Sequence, residues 1–308
     1  MSVQRIQLVG GPAHITYNSA TAHLVGDSKI EVAPATVDLM SAIYAKVDEV
    51  VSDLVLKCNG QILTWTDLPK WFPYLTPTIG QILPTGADTP LVYLSNNGDV
   101  YSIANAVITK MPDIILGVGD PILGDIEFSA IIKDGLDPET VGSYYQIQSA
   151  QTYTPPPLDK TTIPRGKYMA AWGTIPGFTS FQAQDKWTIT WDLKIEPVTV
   201  QSRTVAFRLM GLQAMAKCMP IGPTAAQIDT AIKLQGVGAV HGHKLSDQGA
   251  GDLVISGPAS VTLKNVALKT AGYVFGSQPL RNGEVGFVTT SNIVNGALGP
   301  VAVLAAAE

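Results

Sequence analysis

The feature that most constrains this chain of 308 residues is an internal repeat with an offset of 160 positions. The only two cysteines each follow a lysine, as Lys57-Cys58 in the first half and Lys217-Cys218 in the second. A hairpin pattern of two β-rich runs around a short turn follows each pair, over residues 91–95 and 100–109 and again over residues 253–256 and 261–270. The repeat predicts that one folding unit occurs twice in tandem.

Further landmarks recur in the same order. Asn105 and Asn265 lie 160 positions apart, each inside the second run of its hairpin. A short apolar strand, a proline turn and a strand with phenylalanine then follow, as residues 114–117, Pro121 and Phe128 and as residues 273–276, Pro279 and Phe287. Residues 152–164 are proline-rich and are expected to form an extended linker. We therefore predict a first domain over residues 1–151 and a second over residues 165–308.

Local patterns predict mostly strands in the second half. Residues 186–195 and 204–210 are typical of strands, whereas residues 225–234 have helical spacing at Ile228 and Ile232 and a capping residue in Thr224. Several short strands around one helix favour a mainly β fold, with a small barrel or sandwich in each half.

The first half is less regular. Residues 36–53 fit either a helix, by the spacing of Leu39, Ile43 and Val47, or two strands. Residues 67–74 fit a short helix interrupted by prolines.

Composition narrows the function. Charged residues make up only 15% of the chain against 46% hydrophobic residues, and the net charge of −5 comes without a basic block, which disfavours a protein that reads nucleic-acid sequence. A low charge is expected where large surfaces are buried between subunits. We expect no secretory signal, no membrane-spanning segment, and two free, packed thiols in a protein made in a reducing cytoplasm.

Residues 105–112 followed by residues 123–128 resemble the C-terminal part of tail tube and major tail proteins of long-tailed bacteriophages and prophages. Residues 265–269 and 282–287 resemble that part again. The resemblance implies the tail tube fold, a small β-barrel or sandwich with one helix whose inner sheets join between neighbours around a lumen. In several such families six domains form a ring, so that three two-domain chains suffice. The helix and early strands of the first half fit this pattern poorly.

The implied function is that of a structural virion protein of a phage tail, made in the bacterial cytoplasm. It would assemble into stacked rings with pseudo-sixfold symmetry, contact tape-measure, terminator and baseplate proteins, and let DNA pass through the lumen during ejection. A ring would cover exposed strand edges, which make a monomer prone to aggregation. An acidic or neutral lumen wall would not bind the DNA phosphates tightly, so the DNA could move through. A ring of six chains, with each second domain outside as a decoration, is the remaining arrangement.

No constellation of residues predicts catalysis, a cofactor or a metal. His241 and His243 share one face if they lie in a strand, but a third ligand is missing and only His14 and His23 remain elsewhere. Residues 117–124 are glycine-rich but match neither phosphate-loop spacing, which indicates a turn. Asp120 and Asp125 are interpreted as exposed acids of that turn rather than a catalytic pair.

Two further sets of residues have both a structural and a functional interpretation. The Lys-Cys pairs are interpreted as duplicated structural positions rather than activated thiols. The alternative function is a tail-tip or baseplate β-sandwich module that recognises glycan or protein on the host surface. Five tryptophans are expected to anchor a core or interface, although they also suit a sugar platform in such a module: Trp65, Trp71, Trp172, Trp187 and Trp191.

Overall fold

The computed structural model describes residues 14–65, 67–84, 90–95, 98–118, 123–131, 145–148, 158–159, 161, 163–173, 175–200, 203–235, 251–274, 281–290, 293–294 and 297–305. The predicted linker over residues 152–164 therefore lies largely outside the described residues.

The protein is mainly β, as predicted, with two short helices. The described residues of the first half form ten strands and a one-turn helix: β1 (His14–Tyr17), β2 (Ala20–Ser41), β3 (Ala45–Ile62), α1 (Leu68–Trp71), β4 (Ile82–Leu83), β5 (Leu91–Leu94), β6 (Val100–Ile103), β7 (Ala106–Lys110), β8 (Ile114–Gly117), β9 (Asp125–Ala130) and β10 (Tyr145–Gln148).

Those of the second half form twelve strands and the longer helix: β11 (Met169–Trp172), β12 (Phe181–Ala183), β13 (Lys186–Val200), β14 (Arg203–Cys218), β15 (Pro220–Ile221), α2 (Ala225–Gln235), β16 (Leu253–Ser256), β17 (Ser260–Leu263), β18 (Val266–Val274), β19 (Arg281–Thr289), β20 (Ile293–Val294), β21 (Ala297–Leu298) and β22 (Ala302–Ala305).

Three antiparallel sheets carry most of the strands. The first half forms an eight-stranded sheet in the order β10-β6-β5-β1-β2-β3-β9-β7. The second half divides its strands between a sheet β15-β12-β11-β16-β17-β22 and a sheet β18-β19-β14-β13-β8. The strand β8 of the last sheet comes from the first half, so the two halves share one sheet.

The segment over residues 36–53, for which helix and strands were both open, forms the distal part of a long β2–β3 hairpin. Its cross-strand pairs include Val37 opposite Val50 and Thr36 opposite Val51. Such β-branched residues lose side-chain freedom in a helix and pack well across a pleated ribbon, which favours strands here.

Local signals predicted the helices well. The α2 helix begins after Thr224, whose hydroxyl accepts a hydrogen bond from the Gln227 amide at 3.2 Å, and the Gln227 side chain accepts one from the Thr224 amide at 2.8 Å. This reciprocal pair is a capping box, which satisfies donors that a helix start leaves open. The α1 helix falls inside the predicted residues 67–74 and spans only one turn.

The second run of each predicted hairpin is two strands rather than one. The chain breaks before β7 at Asn105 and before β18 at Asn265, and the latter has a positive φ of 48°. Asparagine tolerates this left-handed conformation, so each asparagine redirects the chain. The carbonyl oxygens of Asn105 and Asn265 accept hydrogen bonds from Ile131 and Thr290, respectively.

The halves repeat one pattern of core contacts. The hydroxyl of Tyr17 donates to the Ala106 carbonyl at 3.2 Å, and its ring lies 5.0 Å from that of Phe128. In the second half the indole of Trp172 donates to the Val266 carbonyl at 3.0 Å and lies 5.2 Å from the ring of Phe287.

The match between the halves is not perfect in register. Cys58 lies opposite Phe128, but Ala216, rather than Cys218, lies opposite Phe287. The predicted equivalence of residues 114–117 and 273–276 is also incomplete, because β8 joins β13 whereas Tyr273 and Val274 stay paired with β19. The duplication stays a prediction.

Removing the Tyr17 hydroxyl tests the role of this core hydrogen bond. We expect Tyr17→Phe to lower the free energy of unfolding by about 1 to 2 kcal/mol, because the Ala106 carbonyl loses a buried donor. Urea denaturation of both proteins measures the difference. Tyr44→Phe is the matched control, since Tyr44 is 77% exposed, and an equal loss in both variants would contradict the assignment.

Candidate assembly surfaces

Two long hairpins extend from the sheets and differ in what they contact. We call residues 34–54 of the β2–β3 hairpin the first arm and residues 191–214 of the β13–β14 hairpin the second arm. Each arm extends about ten residues beyond the strands that flank its base, or about 30 Å at the rise of a strand. An isolated two-stranded ribbon is marginally stable in water, so an arm needs a neighbour.

The second arm lies against the first half of the same chain. Its edge pairs with β4, and Leu209 exchanges backbone hydrogen bonds of 2.8 and 2.9 Å with Gly80 and Gln81. At its base the Trp191 indole donates to the Pro112 carbonyl at 3.0 Å and packs 5.6 Å from Phe72.

Most apolar side chains of the second arm are accordingly covered, although Val200 and Met210 are 51% and 39% exposed. Leu209 is fully buried, and four other residues are half-buried against the core: Leu193, Ile195, Phe207 and Leu212.

Among the described residues, the distal part of the first arm has no such cover. Within the described part of the chain, no strand pairs with either outer edge of residues 36–51. Seven large apolar side chains are between 48% and 81% exposed: Val37, Leu39, Met40, Ile43, Tyr44, Val47 and Val50. Exposed apolar surface of this extent is typical of a site that contacts another molecule.

The first arm has two unlike faces. Val37 and Leu39 share a face by their spacing, and Val50 lies opposite Val37 on the same face. Asp38 and Glu49 lie opposite each other on the other face, where both pair with Lys46. Asp48 lies opposite Leu39 on the first face, and Met40 shares the second face with Asp38, so one face is mostly apolar and the other mostly charged.

The sheet edge at the base of the second arm is paired with another strand, whereas the corresponding edge at the base of the first arm is unpaired among the described residues. On β13, Lys186–Ile189 pair with β8, whereas on β2 the described residues place β1 along Ala20–His23 only. The β2 positions that correspond to the covered edge are Lys29 to Val32, because Glu31 lies opposite Lys57 as Thr188 lies opposite Lys217. An uncovered edge is a template for another strand.

A cavity of about 440 Å³ lies where the second arm meets the polar face of the first sheet. Leu193, Ile195 and Phe207 line one side, and the polar face of β2, β3, β7 and β9 lines the other. Of the two lysines that line it, Lys29 is paired with Glu31 at 3.0 Å. Neither an excess of charge nor a cluster of catalytic groups marks this cavity among the described residues.

The histidines do not form a metal site in the described part of the chain, where no group of three potential ligands occurs. His241 and His243 lie outside the described residues. His14 and His23 lie opposite each other on β1 and β2, with their rings 4.3 Å apart in an edge-on contact. Burial lowers the pKa of His14 to about 4, and the nearby His23 lowers it as well.

The glycine-rich turn is only partly described. Asp120 lies outside the described residues, so the predicted arrangement of Asp120 and Asp125 stays a prediction. Gly124 donates to the Asp113 carbonyl at 2.6 Å, and a Cβ at Gly124 would lie 3.0 Å from that of Asp113. Burial raises the pKa of the Asp113 carboxyl, and the charge of Asp125 raises it further while Lys110 opposes the rise.

The cysteines are buried, free thiols, as predicted. Burial raises the pKa of Cys58 to about 12, and burial together with the charge of Glu284 raises that of Cys218. Since the thiolate is the nucleophile, these positions are not activated for chemistry.

The tryptophans belong to the core, as expected. Trp71, Trp172 and Trp187 are fully buried, Trp65 is nearly so, and Trp191 is packed between the halves. All five lie in the described part of the chain, and none presents an open ring face for a sugar.

The exposed face of the first arm is the feature that sequence patterns missed. Leu39, Ile43 and Val47 were visible as an apolar set, but their spacing suited a helix with a buried face equally well. The alternation of Val37 and Leu39 with polar neighbours was the signal for a ribbon.

Comparisons with known proteins give no identity: no protein-family model matches the chain, and no curated protein matches it. Among the described residues, no helix is both long and apolar enough to cross a membrane.

The lowered pKa of His14 predicts a dependence of stability on pH. The unfolded chain takes up this proton near pH 6.5 but the folded chain only near pH 4, so stability is lost as the pH falls through this interval. We expect a loss of about 3 kcal/mol from this group. His14→Phe keeps an aromatic ring and removes the titration, so the difference between its unfolding curve and that of the wild type should change between pH 6.5 and 4. A constant difference would contradict the assignment.

Proposed function

We propose that this protein is a structural tail tube protein of a long-tailed bacteriophage or prophage. It assembles with itself into rings, the rings stack into a tube, and the lumen conducts DNA during ejection. It acts in the virion and has no catalytic role. Its other partners are the tape-measure, terminator and baseplate proteins of the tail.

The observation that carries the proposal is the edge-to-edge joining of the two halves. The strand β8 of the first half extends the sheet of the second half along Lys186–Ile189. The corresponding edge of β2 lacks such a strand within the described residues. The chain thus forms one such strand pairing internally and leaves the corresponding edge of β2 without a described strand. A chain of this kind is suited to head-to-tail association, and repeated rotation closes such association into a ring.

The strand order around this joint supports the same conclusion. The first half contains the run β7-β9-β3-β2, and the second half contains the run β18-β19-β14-β13, each with a long hairpin at the same place. If each run occupies one of six positions, three chains complete the ring, in agreement with the resemblance to tail tube proteins.

The charge distribution suits a passage for DNA. The net charge is −5, and several lysines on the strands are paired with acids, as Lys110 is with Glu127 at 3.7 Å and Lys217 with Glu284 at 3.1 Å. Paired lysines hold phosphate more weakly than a basic surface of free lysines, so DNA is not retained. Four of the five tryptophans are buried, which favours a role in the core over a sugar platform in the alternative tail-tip module.

Assembly of the purified full chain tests this function. We expect light scattering to show growth in mass with concentration, and negative-stain electron microscopy to show rings or hollow tubes with three chains of 32.6 kDa per ring. Raising the salt concentration should not dissolve them, because apolar burial and backbone pairing are screened little by ions.

Six chains per ring would keep the tube and place the second domains outside it. A protein that stays monomeric at every concentration would contradict the proposal.

A further inference from the structure

The difference between the two arms identifies a contact between copies. Resting on the proposed ring, we infer that the apolar face of the first arm docks on the second half of a neighbouring copy in the same ring. There it repeats the contact that the second arm makes with the first half within one chain.

The first step of the argument is that the two arms are the same element in different surroundings. Each is the distal part of a hairpin whose returning strand pairs with a further antiparallel strand at its base, β3 with β9 and β14 with β19. Measured from Lys57 and Lys217, the hairpins turn after a nearly equal number of residues. What differs is the neighbour.

The second step is that the second arm needs its neighbour. Leu209 is fully buried, and Gly80 and Gln81 of the first half exchange hydrogen bonds with its backbone. Without the first half, this arm would expose an apolar face and an open edge, as the first arm does.

The third step is that the first arm exposes what the second arm covers. The face that carries Val37, Leu39 and Val50 is mostly apolar and about half exposed at each of these residues, with Asp48 opposite Leu39, while the opposite face carries Met40 and the charges of Asp38, Lys46 and Glu49. A ribbon with one mostly apolar, exposed face is suited to contact on that face.

The fourth step selects the occupant. The chain already contains one interface of this kind, between a second arm and a first half, and head-to-tail repetition would place a second half beside each first arm. The β2 edge at the base of the same arm, which no described strand covers, would face that neighbouring second half as well. A second copy of this chain could therefore cover the apolar face of the arm and pair with the edge.

The test uses two variants that preserve the hairpin. Leu39→Lys places a lysine opposite Asp48, a favourable cross-strand pair, while it removes apolar contact. Val37→Thr combined with Val50→Thr keeps β-branched residues in the ribbon and replaces methyl groups with hydroxyls. Below the concentration at which the wild type assembles, both should unfold at the same urea concentration as the wild type, because these positions are exposed in the single chain.

Leu158→Lys is the matched control. Leu158 is 42% exposed, close to the 50% of Leu39, and lies in the predicted linker, so it adds the same charge outside both the arm and the second half.

We expect each arm variant to raise the protein concentration needed for assembly at least tenfold, whereas Leu158→Lys should assemble as the wild type does. Light scattering over a dilution series measures these concentrations, and electron microscopy identifies the particles.

The inference is overturned if both arm variants assemble as the wild type does, and the proposed function then stands. It is also overturned if Leu158→Lys assembles as poorly as they do, or if the arm variants form complete rings that fail to stack. A wild type that never assembles overturns the inference and the proposed function together.

Discussion

The pairing of β8 with β13 is the interaction on which the arrangement of the two halves depends. It adds a strand of the first half to the edge of a sheet of the second half, over four residue pairs from Lys186–Gly117 to Ile189–Ile114. Backbone pairing of this kind fixes direction and register together. Once this strand is in place, the second arm lies along β4 and Trp191 reaches the Pro112 carbonyl. The buried residues of both halves then form one continuous core.

Aromatic side chains make the second half of that core rigid. Trp172, Phe178, Phe181, Trp187 and Phe287 contact one another with ring centroids 5.2 to 6.2 Å apart, several of them edge to face. Such contacts add stability beyond the burial of area and allow few alternative packings. Since Trp187 belongs to the edge that accepts β8, the joint between the halves is built directly on this cluster.

The sequence predicts the features that depend on neighbouring residues and fails where distant ones decide. The α2 helix follows from Thr224 and Gln227, three positions apart, and the strands around Trp187 follow from local composition. The strand β8 pairs with β13 of the second half instead of joining the sheet of the first half. This pairing joins residues distant in the sequence, and no local sequence pattern predicts it. The secondary structure of residues 36–53 stayed ambiguous because their apolar residues fit both the helical period and the strand alternation. These residues are exposed on the arm, so they lack the regular apolar spacing that burial of one face would require. The strand breaks at Asn105 and Asn265 could have been predicted from the sequence, since asparagine is common where a chain changes direction.

The two buried thiols have a practical consequence for chemical labelling. Both cysteines are enclosed by the sheets, and their raised pKa values keep them protonated at neutral pH. Maleimides and disulfide reagents need an accessible thiolate, so the native chain should be nearly silent toward them. A cysteine introduced anywhere on the surface would then carry the dye or spin label alone. The protein thus offers a background-free scaffold for distance measurements without removal of its own cysteines.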